Sequence, residues 1–171
     1  MTVLHQSAFD HATVGAVMLK IGNLVGTMVD DPRRLLIMVR ELADNAVYHS
    51  GEGKGWCAVE RTGDHLQVVI RDRGQGIHGS LFHLYPDIDE RQAVRWVFQG
   101  GVSATADPDR GLGLKMVLDY TQHGATLLLE TGGVALVGSG GRARMVGKST
   151  QRVDGVVATL RVPLAGDRTV E

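Results

Sequence analysis

The order in which helical and strand-like patterns follow one another constrains the fold of this chain more than any other feature. A helical run starts at Pro32, where Asp31 can cap it, and its apolar residues form one broad face. Two strand-like runs follow, 55–61 and 65–72, separated by Thr62-Gly63-Asp64, which is typical of a turn between antiparallel strands. The sequence therefore predicts a helix beside a β-hairpin.

The rest of the chain continues this pattern. Helical periodicity is found over 10–29, 89–98 and 112–123, and further strand candidates are 125–130, 134–137, 143–146 and 155–162. Loops are predicted after Asp72 and over 100–110, and hairpin turns at the glycines of 132–133 and 138–141. Helices on one face of a sheet would bury all the apolar faces. We therefore predict an α/β (α+β) fold, a two-layer sandwich with helices on one face of a mostly antiparallel mixed sheet.

Composition narrows the classes of function. The 171 residues, 43% of them hydrophobic and without a linker or repeat, predict a single domain over 1–171, with an N-terminal helical segment over 1–31 and a tail over 165–171. A formal net charge of -1 argues against nucleic acid as a partner. Neither a membrane-spanning stretch nor a signal-peptide pattern is found, so we expect a cytoplasmic protein.

Three polar residues spaced four apart lie in the helix predicted from Pro32. Glu41, Asn45 and His49 would form one stripe away from the apolar face. The amide oxygen of Asn45 is a suitable ligand for Mg²⁺, and a carboxylate one turn earlier makes Glu41 a candidate general base. Taken alone, such a stripe is more typical of a solvated helix surface.

A second motif, Asp72-Arg73-Gly74-Gln75-Gly76-Ile77, directly follows a strand-like run. A carboxylate at a strand end can accept a hydrogen bond from the exocyclic amine of adenine, and glycines let the backbone pass close to a flat ring. Guanine presents a carbonyl oxygen at that edge, so Asp72 favours ATP over GTP. The same residues are common in ordinary strand-end turns, and the motif alone leaves both interpretations open.

A third motif, Arg110-Gly111-Leu112-Gly113-Leu114-Lys115, opens the helix predicted over 112–123. Free N–H groups and the positive dipole end of a helix N-terminus attract phosphate, and glycines let the phosphate oxygens approach. Arg110 and Lys115 could add positive charge, although either side chain could equally point to solvent. A flexible hinge is the alternative interpretation of this motif.

Together and in this order, the three motifs resemble those of a known family. Glu-x-x-x-Asn-Ala at Glu41, Asp-x-Gly-x-Gly-Ile at Asp72 and Gly-Leu-Gly-Leu at Gly111 look like the N, G1 and G2 boxes of the Bergerat-fold (GHKL, histidine-kinase-like) ATPases. Sensor histidine kinases, gyrase, mismatch-repair ATPases, heat-shock chaperones and anti-sigma-factor kinases share these boxes. The resemblance implies a Bergerat ATPase core over 32–164, with an ATP lid over 100–110.

The resemblance also implies ATP and Mg²⁺ as cofactors and a role for each matching residue. Asn45 would bind Mg²⁺, Asp72 would bind adenine, and Glu41 would be the catalytic base. The residues implied in nucleotide binding are Asn45, Asp72, Gly74, Gly76, Ile77, Arg110, Gly111, Leu112, Gly113, Leu114 and Lys115.

The sequence of the first motif, from Glu41 to Ser50, resembles that of stand-alone anti-sigma-factor kinases and histidine kinase ATPase domains more than that of gyrase. About thirty residues precede the helix, too few for a dimerisation helix pair, so we expect His5 and His11 to be surface residues and the phosphoacceptor to come from a partner protein. This implies an ATP-dependent protein kinase or regulatory ATPase in bacterial-type signalling. A non-catalytic module whose lid controls partner binding stays open, as does a homodimer formed through the first helix.

Overall fold

The structure, a computed structural model, describes residues 1–99 and 112–166, with 147–151 as backbone only. Its elements in chain order are β1 (Thr2–Asp10), α1 (Val14–Val25), α2 (Pro32–Tyr48), β2 (Lys54–Thr62), β3 (His65–Arg71), α3 (Gly76–Phe82), α4 (Glu90–Gln99), α5 (Gly113–Tyr120), a 3₁₀ turn (Thr121–His123), β4 (Thr126–Ser139) and β5 (Arg142–Pro163).

Five strands form one sheet in the order β1-β2-β3-β5-β4. Alternate residues point to a single buried face, because side chains of a strand alternate between the two sides. One buried row crosses four neighbouring strands and consists of Cys57, Ile70, Ala158 and Leu129. The predicted two-layer sandwich is confirmed. Within the described residues every strand pair is antiparallel, so the sheet there is not mixed.

Helix α2 forms where the sequence predicts it and for the expected reason. The Asp31 carboxylate accepts a hydrogen bond from the backbone N–H of Arg34 at 2.9 Å, and Pro32 occupies the first helical position. Its apolar face is buried against the sheet. The polar stripe of Glu41 and Asn45 is thereby left at the side of the helix, where it can border a cavity.

Two parts of the chain differ from the predictions. The sequence predicts a helical segment over 1–31, but Thr2–Asp10 form strand β1, which pairs with β2 at the edge of the sheet. Strand β1 lies at the edge of the sheet and most of its residues are exposed or half-buried. Its sequence therefore lacks the regular alternation of apolar and polar residues by which a strand is predicted. A loop is predicted after Asp72, but helix α3 starts at Gly76, with Ile77, Ser80 and Leu81 buried.

The glycines of the last third also differ in part from the prediction. Gly132 and Gly133 do not form a hairpin turn and instead lie inside the long strand β4, where the pairing with β5 shifts register. A bulge accounts for this, since an extra residue in one strand bends the ladder without ending it. The hairpin turn is formed by Gly140 and Gly141, both with positive φ.

Candidate functional site

A cavity of about 380 Å³ lies between α2, the sheet and the starts of α3 and α5. Its floor is apolar and includes Ile70, Leu129 and Ala158. All three predicted motifs border this one cavity. Their lining residues are Glu41, Asn45 and His49 from the first, Asp72, Gly76 and Ile77 from the second, and Leu112, Gly113 and Leu114 from the third.

Asp72 is a buried carboxylate, only 6% exposed, directly after β3. One carboxylate oxygen accepts a hydrogen bond from the Gly74 N–H at 2.9 Å. Burial raises the pKa of Asp72 to about 6, although hydrogen bonds from the backbone of Gly74 and Val156 oppose the change. The group is therefore mainly ionised at pH 7, at a cost in stability, and can accept a hydrogen bond from a ligand.

Glycines are required on both sides of Asp72. A Cβ atom at Gly74 would overlap the carbonyl oxygen of Ser50, which also accepts a hydrogen bond from the Gln75 N–H at 3.0 Å. A Cβ at Gly155, whose φ is +76°, would overlap the Asp72 carboxylate. The end of α2 and strand β5 can approach the Asp72 loop this closely only because these residues lack side chains.

Thr131 and Gly155 do not line the cavity but support its Asp72 end, and sequence reasoning missed both. The Thr131 hydroxyl donates to the carbonyl of Gly155 at 2.9 Å and accepts from the N–H of Ile77 at 3.2 Å, which ties the start of α3 to β5 beside Asp72. The available signal was alternation along β4. Thr131 follows Leu127 and Leu129 on the buried face, and a hydroxyl at an inward position requires a partner.

At the other end of the cavity, α2 meets the start of α5. A Cβ at Gly113 would lie 2.5 Å from a carboxylate oxygen of Glu41 and 4.0 Å from the amide nitrogen of Asn45. That amide nitrogen is buried and has no hydrogen-bond partner among the described residues. A glycine at position 113 therefore keeps open the space in front of the acid and the amide.

The environment of Glu41 favours proton acceptance. Burial raises the pKa of Glu41, the neighbouring Asp44 raises it further, and Arg40 opposes both effects. Arg40 is itself paired with Asp44 at 2.7 Å, so these two opposite charges partly offset each other at Glu41. A carboxylate with a raised pKa is a better proton acceptor near neutral pH than an ordinary surface glutamate.

The third motif is brought to the cavity only in part. Leu112 and Leu114 line it, and no side chain of the described residues caps α5 at its first residue, Gly113. Lys115, predicted to contact phosphate, is paired with Asp119 at 2.7 Å and does not line the cavity. Arg110, Gly111 and the lid predicted over 100–110 lie outside the described residues.

A family model described as histidine kinase-, DNA gyrase B-, and HSP90-like ATPase matches residues 30–166. The chain belongs to this family. This is a family of ATP-binding ATPases, whose domains generally bind ATP with Mg²⁺. Residues 1–29, which include β1 and α1, precede the matched region. None of the helices in the described parts of the chain is long and apolar enough to cross a membrane.

Among solved structures, the chain is similar to the 43K ATPase domain of gyrase B from Thermus thermophilus, crystallised in complex with an aminocoumarin. The two are 16% identical, the TM-score is 0.40, and the match covers 93% of this chain and 42% of that one. At this distance the likeness carries no argument about activity. A comparison with curated proteins found no match.

Proposed function

We propose that this domain binds MgATP in the cavity and transfers the γ-phosphoryl group to a partner protein or to water, as a kinase or regulatory ATPase in bacterial-type signalling. One observation carries the proposal. Helix α2 carries Glu41 and Asn45, which lie beside Gly113. Just after the end of the same helix, the backbone contacts the loop of the buried Asp72. The two ends of one cavity thus offer the chemistry that the two ends of ATP require.

Adenine would occupy the end near Asp72. The ionised carboxylate can accept a hydrogen bond from the exocyclic amine of adenine, while the ring packs on apolar residues such as Ile77 and Leu129. Guanine would place a carbonyl oxygen against the same carboxylate. We therefore expect ATP to bind more tightly than GTP.

The residues present fit a magnesium ion near Asn45. The absence of a side chain at Gly113 leaves room in front of the Asn45 amide, whose oxygen would be the ligand, and the amide nitrogen is buried without a partner among the described residues. An amide oxygen is a neutral hard ligand, and Mg²⁺ commonly takes one or two protein ligands together with phosphate oxygens and water. When bound, the ion would neutralise charge on the phosphates.

Glu41 would act as the base. Its carboxylate takes the proton of an acceptor hydroxyl or of water while that oxygen bonds to the γ-phosphorus and the bond to the β–γ bridging oxygen breaks. ADP leaves, and the products are a phosphorylated partner or inorganic phosphate. The raised pKa of Glu41 and its position beside Gly113 support this role.

The first test is calorimetry of ATP and GTP binding with Mg²⁺, on the native protein and on Asp72→Asn and Asn45→Ala. Asn23→Ala is the matched control, because Asn23 is exposed on α1 and outside the cavity. We expect both site variants to lose at least tenfold in ATP affinity and the control to match the native protein. A native protein that binds no adenine nucleotide would overturn the proposal.

Turnover is tested separately, by phosphate release and by transfer of labelled phosphate to acceptors in a cell extract. Glu41→Gln should bind ATP with nearly native affinity and lose at least a hundredfold in turnover, as expected when a general base is removed. Glu60→Gln, on the opposite face of the sheet, is the control. If the native protein binds ATP and neither reaction occurs, the domain is a binding module whose nucleotide controls contact with a partner.

A further inference from the structure

The N-terminal segment, which the family model does not cover, reaches the edge of the cavity through one histidine. His11 lies in the turn between β1 and α1, and its ring stands edge-on to that of Tyr48, with centroids 4.7 Å apart and an angle of 73°. Tyr48 is the last residue of α2, lines the cavity and is 53% exposed. The ring of His11 therefore borders a wall of the nucleotide site.

Hydrogen bonds within the turn hold His11 in this place. The Asp10 carboxylate accepts from the N–H groups of Ala12 and Thr13, each at 3.0 Å, and from the Thr13 hydroxyl at 2.7 Å. The hydroxyl of Thr13 in turn accepts from the Asp10 N–H at 2.9 Å. These bonds lower the pKa of Asp10, the one from the Thr13 hydroxyl most.

The ring of His11 also lies beside a second part of the protein. The loop between α2 and β2 passes beside it at Gly53, where a Cβ atom would lie 3.6 Å from the His11 ring. Gly53 has a φ of +67°, which keeps the loop in a conformation that favours glycine. His11 thus lies between Tyr48 and this loop, although the residue itself is exposed.

The position of Tyr48 along α2 indicates which part of a nucleotide its ring would meet. Asn45, beside Gly113, lies one helical turn earlier, and Ser50, whose carbonyl contacts the Asp72 loop, lies two residues later. Tyr48 is therefore placed between the phosphate end and the adenine end proposed above. The group that ATP and ADP present between these ends is the ribose.

We propose that His11 is a positioning residue for the nucleotide, and that it holds the Tyr48 ring against the ribose of bound ATP or ADP. The inference rests on the proposed function, because it needs a nucleotide in the cavity. A tyrosine already held in its bound orientation loses less conformational freedom when the ligand arrives, and this increases affinity. Ordering one such side chain on binding typically costs about 2- to 10-fold in affinity, and the edge-to-face contact with His11 would remove that cost.

The test measures Kd for ATP and for ADP, with Mg²⁺, on the native protein, His11→Ala, Tyr48→Ala and the double variant. We expect His11→Ala to weaken both nucleotides by a similar factor, about 2- to 10-fold. In Tyr48→Ala, the further change at His11 should have no effect, because the ring that it positions is gone. His11→Phe should restore native affinity, since phenylalanine can form the same edge-on contact.

His5→Ala is the matched control, because His5 lies in β1 and bonds to Ser7 rather than to α2. Thermal unfolding without nucleotide shows whether a variant is folded, and a merely structural role would lower Tm without a loss that depends on Tyr48. An unchanged Kd in His11→Ala, a loss confined to ATP, or a full loss in the Tyr48→Ala background would each overturn the inference. If the native protein binds neither nucleotide, the proposed function itself fails.

Discussion

Replacing Asp72 by asparagine should make the nucleotide-free protein more stable while it weakens ATP binding at least tenfold. Burial raises the pKa of Asp72 from 3.8 to about 6 in the folded state. Because the folded pKa lies above the unfolded one, the stability associated with this group is fully present below pH 4 and is lost as the pH rises through 6. The pKa change corresponds to about 3 kcal/mol lost at pH 7, at about 1.4 kcal/mol per pH unit.

The asparagine side chain of the Asp72→Asn variant would keep the hydrogen bond that an oxygen at this position accepts from the Gly74 N–H. Its new NH₂ group needs an acceptor, however, and leaving it unpaired would offset about 1–3 kcal/mol, so we expect up to about 2 kcal/mol of net stabilisation. Urea unfolding at pH 7 and at pH 4.5 would measure it, and Tm should rise by about 2–4 °C for each kcal/mol. Asp119→Asn, at a half-exposed helix position outside the cavity, is the control.

The pH dependence distinguishes this explanation from a general packing effect. At pH 4.5 the native carboxyl is already largely protonated in the folded state, so the advantage of the asparagine variant should shrink by more than half. An Asp72→Asn protein that is less stable than the native one at pH 7, or that is stabilised equally at both pH values, would refute the reasoning.

Two further substitutions test the backbone around this site. Gly74→Ala should lower the free energy of unfolding in urea by about 3 kcal/mol or more, because the new Cβ overlaps the Ser50 carbonyl. Gly15→Ala is the control, since a Cβ there meets no atom within 4 Å, and it should be neutral or gain up to about 1 kcal/mol. Equal effects of the two substitutions would contradict this explanation. Thr131→Val should cost about 1–3 kcal/mol, because it leaves the buried N–H of Ile77 without a partner, and should also weaken ATP binding. A native urea midpoint and a native Kd for ATP would count against the role given to Thr131.

Much of the fold could be predicted because its signals are local. The cap at Asp31, the proline that follows it and the turn at Gly63 each act within a few residues, and helix α2 and the β2–β3 hairpin form where they are predicted. The three motifs were found for the same reason. Each is a short run, and residues from all three border the same cavity.

The parts that could not be predicted depend on contacts between distant residues. Strand β1 exists because it can pair with β2, some fifty residues later, and its own sequence contains polar residues at half-exposed positions. Helix α3 starts at a glycine with positive φ, which is ordinarily a stop signal, and the N–H of Ile77 finds its partner in Thr131. Lys115 was associated with phosphate by its place in the motif, yet Asp119, one turn later, pairs with it.

The groups that lower the stability of the free protein are concentrated around the cavity. Three buried side-chain atoms lack a hydrogen-bond partner among the described residues, and two of them, in Asp44 and Asn45, belong to residues that line it. Asp72 adds a buried charge, and burial also raises the pKa of Glu41, which lines the same cavity. Groups that destabilise the free protein persist where a ligand compensates for them. Bound MgATP should therefore raise Tm, and Asn45→Ala should retain the fold while losing much of that increase, since the variant lacks the amide oxygen proposed to bind Mg²⁺.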